Sequence, residues 1–413
     1  MPNVAHQLQL HFDPAHVAIL RRIADAAGRN GARAYLVGGA SRDAILGVPH
    51  LDLDVMYHGG GPDLPDAIAA GTGGSVTART EFGTAKLEIE GLLVDLAIAR
   101  RETYPHPGAL PEVFPGTLEE DAARRDFSIN AIAVSLSQGT WGDLFDPHHG
   151  FEDIKSGTVR ALHGRSFADD ATRILRAARY AGRLGFRLDG ATAAWLARDM
   201  HHLGAISGDR VRHELVRIFR EPEVSEILAM LEAWGAFRAV LPEWIVDAAT
   251  LASAGKAAAE PGPQRDARML ALLAYAVAPG RVEALLDRLR PDAEGIKAVR
   301  DVHAVKSRYP QLAEPSLKGS DLVFALRGMD PAAVEVCALV AGDALVQGRL
   351  LDYLSRLRAI RPSLTGDDLL SLGVPEGPMV GRLLRELHVA RLDGHLRSRD
   401  EEIAFLRARL PGA

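Results

Sequence analysis

The sequence predicts a mixed α/β domain at the N-terminus, followed by a remainder that is all helical. Three observations support this fold class. Short apolar runs alternate with helical segments up to about Gly150, long segments rich in Ala, Leu and Arg with a period of 3.6 follow Ile154, and strand patterns almost disappear there. We therefore expect an N-terminal domain over 1–150, a helical unit over 151–255 and further helical units over 256–413.

Each predicted element follows from its residue pattern. Apolar residues recur at helical spacing before Gly31, which predicts a helix, and at alternate positions on either side of Gly91, which predicts a β-hairpin. The elements predicted for the first domain are a helix over 15–30, a strand over 34–39, a helix over 41–47, a strand over 51–57, a helix over 64–74 and a hairpin over 85–99. The helices predicted for the remainder are 168–187, 209–220, 223–234, 265–276, 281–290, 331–346 and 348–359, with a small-residue connection over 252–263.

The composition is that of an ordinary globular protein. The 413 residues are 47% hydrophobic and 25% charged, which excludes a disordered chain and a small disulfide scaffold. The single cysteine, Cys337, allows no intrachain disulfide. We see no signal-peptide pattern and no apolar run of membrane-spanning length, so we expect a cytoplasmic protein without membrane contact.

Charge is unevenly distributed along the chain. The net charge of −6 alone argues against a nucleic-acid-binding protein. However, residues 49–159 contain 18 acidic and 7 basic residues, whereas residues 160–220 contain 12 arginines, no lysine and 6 acidic residues. A general preference for arginine over lysine does not explain this separation of signs. We interpret it as a metal-binding part followed by a part that binds a polyanion.

A glycine pair, Gly38 and Gly39, lies where the first strand meets a short helix, and Arg42 follows within that helix. Backbone N–H groups at such a turn approach phosphate closely, and the helix N-terminus is positive. A Rossmann dinucleotide site would need a third glycine in the pattern G-x-G-x-x-G, which is absent here. The pattern therefore favours another kind of phosphate site.

Asp52 and Asp54 lie two residues apart on the second predicted strand, so both face one side of the sheet. Two such carboxylates can share Mg²⁺, which prefers oxygen ligands together with substrate phosphates. Asp95, on a later strand, is a candidate third carboxylate of this catalytic site. A purely structural pair at a strand end and a phosphohydrolase of the Asp-x-Asp type are the alternatives.

Two further segments carry groups that suit a nucleotide. In the first, Arg125 suits phosphate oxygens, and Asp126 and Asn130 suit ribose hydroxyls. In the second, Asp169 and Asp170 precede arginines spaced three and four residues apart along one helical face, with Ser166 as the predicted N-cap; these are Arg173, Arg176, Arg179, Arg183 and Arg187. The alternatives are a charged turn and a solvated, salt-bridged helix.

In this order the segments resemble one known family. The residues that carry the resemblance are 38–43, 52 and 54, 124–133, 146–153, 169–173, 207–215 and 364–378. They are similar to those of the bacterial tRNA nucleotidyltransferase and poly(A) polymerase family, within the polymerase-β-like nucleotidyltransferases. The resemblance extends from about Tyr35 to Leu410 and is loose over 235–330. One departure is Asp169, where the family usually has Glu.

The resemblance implies an elongated molecule with a palm-like catalytic head over 1–150 and a helical neck over 151–255 for base selection and RNA binding. It also implies a helical body and tail over 256–413 that bind tRNA. It implies roles for four groups of residues: Asp52 and Asp54 as catalytic metal ligands, Gly38, Gly39 and Arg42 at the triphosphate, Arg125, Asp126 and Asn130 at the phosphates and sugar, and Asp170 and Arg173 as the base-selecting pair. We add Arg176 and Arg179, on the same helical face, as nucleotide-binding candidates. In the implied reaction a tRNA 3′-hydroxyl attacks the α-phosphate of CTP or ATP, with Mg²⁺ as cofactor and pyrophosphate as the leaving group. No obligatory protein partner is expected.

The residues that follow the strand of Asp95 bear on which nucleotides are added. The segment 100–121 contains four prolines and two glycines, which predicts an irregular, mobile loop of full length. In the family, enzymes that add only CC have a shortened loop here. We therefore expect addition of the terminal A, within full CCA synthesis or by a dedicated A-adding enzyme, and favour full CCA synthesis. A poly(A) polymerase is the next alternative, although the basic C-terminal extension common in those enzymes is not seen.

Overall fold

The computed structural model describes residues 2–48, 53–80, 83–106, 108–259, 262 and 264–409. The α-helices, numbered in chain order, are α1 (Ala5–His11), α2 (Pro14–Arg29), α3 (Gly38–Leu46), α4 (Leu64–Thr72), α5 (Leu118–Ala123), α6 (Gly150–Ser156), α7 (Ser166–Asp169), α8 (Thr172–Leu184), α9 (Gly190–Asp199), α10 (Gly208–Ile218), α11 (Val224–Trp234), α12 (Ala236–Val240), α13 (Ala248–Ala259), α14 (Arg265–Ala274), α15 (Val282–Leu289), α16 (Ala293–Lys306), α17 (Tyr309–Leu312), α18 (Gly319–Ala325), α19 (Pro331–Val340), α20 (Ala344–Ser355), α21 (Gly366–Ser371), α22 (Pro378–Leu392) and α23 (Arg399–Arg407). The strands are β1 (Ala32–Val37), β2 (Leu53–Gly59), β3 (Ser75–Arg79), β4 (Thr84–Ile89), β5 (Leu92–Ile98), β6 (Arg100–Thr103), β7 (Glu112–Pro115), β8 (Ala133–Ser135), β9 (Leu144–Phe145), β10 (Thr158–Val159) and β11 (Arg187–Leu188). Short 3₁₀ turns lie at Ser128–Asn130, Gln138–Thr140, Met200–Gly204, Pro279–Arg281 and Leu357–Ala359.

The chain forms two compact units. The first unit comprises Met1–Glu214 and Ala233–Val240, and the second comprises Leu215–Glu232 and Leu241–Ala413. The predicted fold class is confirmed, since the larger sheet lies in the first unit and the second unit is helical. The finer division into head, neck, body and tail stays a prediction.

A sheet of seven strands, counted within the described residues, organises the first unit. Its order is β3-β4-β5-β2-β1-β8-β9, with β2 and β5 parallel and the other neighbours antiparallel. The inward side chains of its central strands are fully buried, as shown by Leu36, Leu87 and Val94, each 0% exposed. Helices α2 and α4 pack together beside the sheet, and α3 begins directly where β1 ends. The parallel β2 and β5 bring their early residues to the same edge as this helix start.

The segment predicted to be an irregular loop is instead a hairpin followed by a helix. Strands β6 and β7 pair antiparallel, with Arg100 opposite Pro115 and Thr103 opposite Glu112. Helix α5 follows, opened by a capping box between Thr117 and Glu120. The proline and glycine signals that predicted irregular structure fall at the end of β7 and between the strands, where they do not prevent pairing.

The second unit is built from helices packed around α14, α16 and α19. Residues 252–263 were predicted to connect helical units, and this is wrong for most of the segment, because α13 spans Ala248–Ala259. Its small residues pack closely instead of breaking the helix, with Ala254 and Ala257 buried. A separate apolar cluster, including Leu369, Leu387 and Leu406, holds α21, α22 and α23 together.

Among the described residues, no helix is both long and apolar enough to cross a membrane.

Candidate active site

The predicted phosphate-binding glycine, Gly38, lies between a carboxylate and a guanidinium group. Gly38 opens α3 with φ = +67°, a conformation that favours glycine. A Cβ placed on Gly38 would lie 3.5 Å from Nη1 of Arg125 and 3.6 Å from Oδ2 of Asp54. The structure therefore brings three predicted site residues, distant in sequence, to the positive end of one helix.

The predicted carboxylates lie on neighbouring strands. Asp54 of β2 is directly opposite Asp95 of β5 in the parallel register, so both side chains face the same side of the sheet. Asp95 also forms an ion pair with Lys86 at 2.8 Å between Nζ and Oδ1. Asp52 lies outside the described residues. Within those residues no group of three or more His, Cys, Asp or Glu side chains is arranged to bind a metal. However, the carboxylate of Asp54 lies beside the N-terminus of α3, where a phosphate would bind, and its oxygen atoms suit a hard divalent cation.

Asp121 holds the two adjacent arginines of the predicted phosphate-binding segment. Its Oδ1 accepts from Nη2 of Arg124 at 2.7 Å, and its Oδ2 accepts from Nη2 of Arg125 at 2.7 Å. Burial raises the pKa of this carboxyl, but the two guanidinium groups more than offset that effect and hold it below its ordinary value. Asp121 was not among the residues predicted for the site. Its spacing of three and four residues before the two arginines, at the end of a helix, was the available signal.

Five buried polar side chains and the partly exposed Arg176 form a row from α3 to α10, and we name this set the charge row: Asp43, Arg42, Asn130, Asp126, Arg176 and Glu214. Arg42 donates to Oδ1 of Asp43 and Oδ1 of Asn130, both at 2.8 Å. Asn130 donates to Oδ1 of Asp126 at 3.0 Å. Arg42 is only 2% exposed. The structure thus gives Arg42 the role of orienting Asn130, and its predicted contact with triphosphate stays a prediction.

The far half of the charge row involves the arginines of α8. Nε of Arg176 donates to Oδ2 of Asp126 at 2.8 Å, and Arg176 and Arg179 both lie beside Glu214, at 3.6 and 3.7 Å. Burial raises the pKa of Asp126, but Arg176 and the hydrogen bond from Asn130 outweigh it and lower the pKa to about 2. These arginines therefore neutralise carboxylates in this structure. Their predicted contact with a nucleotide stays a prediction.

The predicted base-selecting residues lie at a break between two helices. One continuous helix was predicted over 168–187, with Ser166 as its N-cap, but the backbone is extended at Asp170 and separates α7 from α8. Ser166 lies inside α7, and its hydroxyl accepts from Nη1 of Arg173 at 2.7 Å. The cause of the break is local, because Oδ1 of Asp170 accepts from the backbone N–H of Thr172 at 2.9 Å and from its hydroxyl at 2.6 Å, just where α8 begins.

Asp170 and Arg173 have separate partners. Oδ1 of Asp170 also accepts from Nη2 of Arg210 at 2.6 Å, and Arg173 donates to the carbonyl of Arg124 at 2.7 Å. Arg173 is thereby fixed to the segment that carries Arg125. Asp169, where the family usually has the longer Glu, pairs with Arg165, with 3.3 Å between Oδ1 and Nη2. Its partner is therefore a different arginine from the Arg210 that binds Asp170.

Arg210 joins Asp170 to the hairpin. Its Nη1 donates to the carbonyl of Gly108 at 3.3 Å, while its Nη2 is bound to Asp170. The backbone N–H of Gly108 donates to the carbonyl of Ala168 at 3.3 Å. The turn between β6 and β7 is therefore connected to the predicted base-selecting acid through the guanidinium of Arg210, which was not among the predicted site residues.

Replacing Gly38 by alanine should lower both stability and activity. Left-handed backbone costs a residue with a Cβ about 1 kcal/mol, and the new methyl group would narrow the space between Asp54 and Arg125. We expect the free energy of unfolding, measured in urea, to fall by about 1 kcal/mol. We also expect the rate of nucleotide addition to fall at least tenfold. Gly185→Ala is the matched control, because Gly185 has φ = +65° with open space at its Cβ position. Equal rates for the two variants would argue against a substrate site at Gly38.

Comparison with known proteins points to one family. A family model described as the poly A polymerase head domain matches residues 34–160, and one described as the probable RNA and SrmB-binding site of polymerase A matches residues 185–246. The CC-adding tRNA nucleotidyltransferase of Deinococcus radiodurans is 33% identical over 407 residues, which cover 98% of this chain and 96% of that protein. The chain belongs to the tRNA nucleotidyltransferase family.

Other family members differ in length and in the nucleotide that their names specify. The A-adding tRNA nucleotidyltransferase of Geobacter sulfurreducens is 31% identical over 428 residues, and the match covers 97% of this chain but 48% of that protein. The Thermotoga maritima CCA-adding enzyme, solved in complex with tRNA, has the same fold, with a TM-score of 0.82 at 24% identity, and the match covers 99% of this chain and 98% of that one. The predicted nucleotidyltransferase family is confirmed, and the phosphohydrolase alternative is set aside.

Proposed function

We propose that this tRNA nucleotidyltransferase adds nucleotides from CTP and ATP to the 3′ end of tRNA, ending with the terminal A. The observation that carries the proposal is the placement of Asp54 and Arg125 on either side of Gly38 at the start of α3. An acid for a metal, a guanidinium for phosphate and a positive helix end are the components of a triphosphate site. A cytoplasmic location is part of the proposal, since Cys337 is a buried free thiol.

A divalent metal is general for nucleotidyltransferases of this type, and we propose Mg²⁺ here. Asp54, with Asp52 two residues earlier, would hold it. The metal would supply positive charge beside the reacting phosphate and lower the pKa of the attacking hydroxyl. The chain itself would position the triphosphate with Arg125, which Asp121 orients, and with the N–H groups of the glycine pair.

Base selection would fall on Asp170 and Arg173. A carboxylate accepts from the exocyclic amino group that cytosine and adenine share, and a guanidinium donates to the neighbouring ring nitrogen. Asp170 already accepts from Arg210, so reading a base requires this acid to share or exchange that partner. The hairpin turn, bound to the same Arg210, is therefore placed to influence the step in which adenine replaces cytosine.

Product sizing on tRNAs that lack three, two or one of the 3′ nucleotides tests the proposal. Full CCA synthesis adds three nucleotides to tRNA lacking all of them, whereas an A-adding enzyme extends only tRNA that already ends in CC. Growth into a long adenosine tail would show a poly(A) polymerase. Sequence identity does not decide among these activities, because A-adding and CC-adding relatives are similarly close, at 31% and 33%. An enzyme that stops after CC would contradict the proposal.

Shortening the hairpin turn should affect A addition most. Replacing residues 105–110 by Asn-Gly keeps β6 and β7 but removes the Gly108 carbonyl that Arg210 contacts. We expect AMP addition to tRNA ending in CC to fall at least tenfold, and CMP addition to tRNA lacking CCA to fall less than threefold. Single-turnover rates with each nucleotide provide the measurement, with thermal unfolding as the check on folding. Equal losses for both nucleotides would refute a specific role in A addition.

A further inference from the structure

The second unit contains a basic pocket remote in sequence from the residues discussed so far. A cavity of about 290 Å³ lies among α18, α20 and α22, with the short turn that follows α20 on one side. The chemically active side chains on its wall are Arg327, Tyr353, Arg358, Arg361 and His388. We name this cavity the arginine pocket.

Three guanidinium groups give the arginine pocket its charge. In the part of the chain that the structure describes, none of Arg327, Arg358 and Arg361 forms an ion pair with a carboxylate. Arg361 donates to the backbone carbonyls of Arg358 and Ile360, at 2.9 and 2.7 Å, which holds its side chain without neutralising it. Unneutralised guanidinium groups that converge on one cavity suit an anion with several acceptor oxygens.

His388 lines the pocket but adds little positive charge to it. Its Nε2 lies 3.0 Å from the carbonyl of Ile360. Burial lowers the pKa of His388, and Arg361 and Arg327 lower it further, against the raising effect of the Ile360 carbonyl. The ring is therefore mainly neutral at pH 7, and the positive charge of the pocket comes from the arginines.

An exposed aromatic ring lies at the edge of the pocket. Phe324 is 40% exposed, its ring packs edge-on against His388 with centroids 6.3 Å apart, and the guanidinium of Arg327 lies 5.6 Å from its centre. An exposed ring beside guanidinium groups suits a nucleic acid, because a base can stack on the ring while the cations hold the backbone. A free phosphate ion would gain nothing from Phe324.

We propose that the arginine pocket binds a backbone phosphate of the tRNA substrate, with a neighbouring base stacked on Phe324. The proposal rests on the proposed function, since it assigns a contact for the same RNA. Contact with phosphate and with one base face carries little sequence information, which suits an enzyme that acts on many tRNAs. The contact supplies affinity and not chemistry.

The chain offers a matched control that lines a neighbouring cavity instead of the arginine pocket. Arg356, at the end of α20, lies two residues before Arg358 but pairs with Asp352 through both Nε and Nη2, at 2.8 and 2.7 Å. Its charge is already neutralised by a neighbour. Arg356→Ala therefore removes the same type of side chain, but one whose charge is already paired with a carboxylate.

The test is tRNA binding by the double variant Arg358→Ala/Arg361→Ala, compared with Arg356→Ala. We expect the Kd of the double variant to rise at least tenfold, its log–log salt slope to fall by about 2, and the Kd of Arg356→Ala to change less than twofold. The rate at saturating tRNA should stay within twofold of the wild type. Phe324→Leu should weaken binding severalfold with an unchanged salt slope. Arg327→Ala provides the same charge test if the double variant does not fold.

Unchanged tRNA affinity in the folded double variant would overturn the inference. Inorganic phosphate distinguishes a simple anion site: if phosphate stabilises the wild type but not the double variant while tRNA affinity is equal, the pocket holds a free anion and the inference is wrong. A wild-type enzyme that adds no nucleotide to any tRNA would instead overturn the proposed function, so the two failures are distinguishable.

Discussion

Replacing Asp54 by asparagine should abolish nucleotide addition while leaving tRNA affinity unchanged. The substitution keeps the shape of the side chain but removes the charge that a divalent cation requires, beside the helix end where a triphosphate would lie. We expect single-turnover rates at least 100-fold lower, which corresponds to about 2.7 kcal/mol of transition-state stabilisation. Asp52→Asn should behave alike, as the sequence predicts both as metal ligands.

Asp66→Asn is the matched control for these variants. Asp66 is an exposed carboxylate in the same unit that pairs with Arg79, so its removal tests the loss of a charge without touching the proposed site. Its rate should stay within twofold of the wild type. Retention of more than a tenth of the wild-type rate by Asp54→Asn would show that this carboxylate is not a catalytic ligand.

Asp170→Ala should lose base discrimination as well as rate. Uracil and guanine present a carbonyl where cytosine and adenine present an amino group, and a carboxylate repels that carbonyl. We expect the preference for ATP and CTP over GTP and UTP to fall at least tenfold, measured as ratios of kcat/KM on the same tRNA. That loss corresponds to about 1.4 kcal/mol of discrimination.

Because Asp170 also accepts the backbone N–H of Thr172 at the start of α8, a loss of stability alone would not support base selection. Asp189 offers a matched control, since it caps α9 through the N–H of Thr192 at 2.9 Å and pairs with Arg160 at 2.9 Å. Asp189→Ala should therefore lower the unfolding temperature as Asp170→Ala does, but keep full selectivity. If Asp170→Ala also keeps full selectivity, the role of Asp170 is only to stabilise the turn before α8.

Local patterns in the sequence were sufficient for much of the first unit. Helix α2 and strand β1 have the predicted extent within about two residues, because their apolar periodicity and the glycine that follows α2 are short-range signals. The hairpin of β4 and β5 around Gly91 is likewise confirmed. Strand β3 was missed: its burial is slight throughout, so it has no clear apolar alternation.

The sequence patterns did not predict ion pairs between residues that are far apart in the chain. The spacing of the arginines in α8 predicted one helical face, but their carboxylate partners come from elsewhere in the chain, such as Asp126 for Arg176 and Glu214 for both Arg176 and Arg179. The separation of charge along the chain is thus partly cancelled when the first unit folds, as the pair Arg160–Asp153 also shows. Arg210 lies 40 residues from Asp170, and no local spacing indicates that pair.

The way the chain passes between the two units limits how family members can be recombined. Helix α11 belongs to the second unit up to Glu232, but α12, which follows it, belongs to the first, where Gly204 closely approaches the carbonyl of Ala239. A hybrid joined near residue 214 would separate α12 from its unit, and one joined near 240 would place a foreign α11, with its buried Ile227 and Leu231, in the second unit. We therefore expect any hybrid with a single junction to melt at a lower temperature than both parents, and a hybrid that exchanges 1–214 together with 233–240 to recover most of that loss.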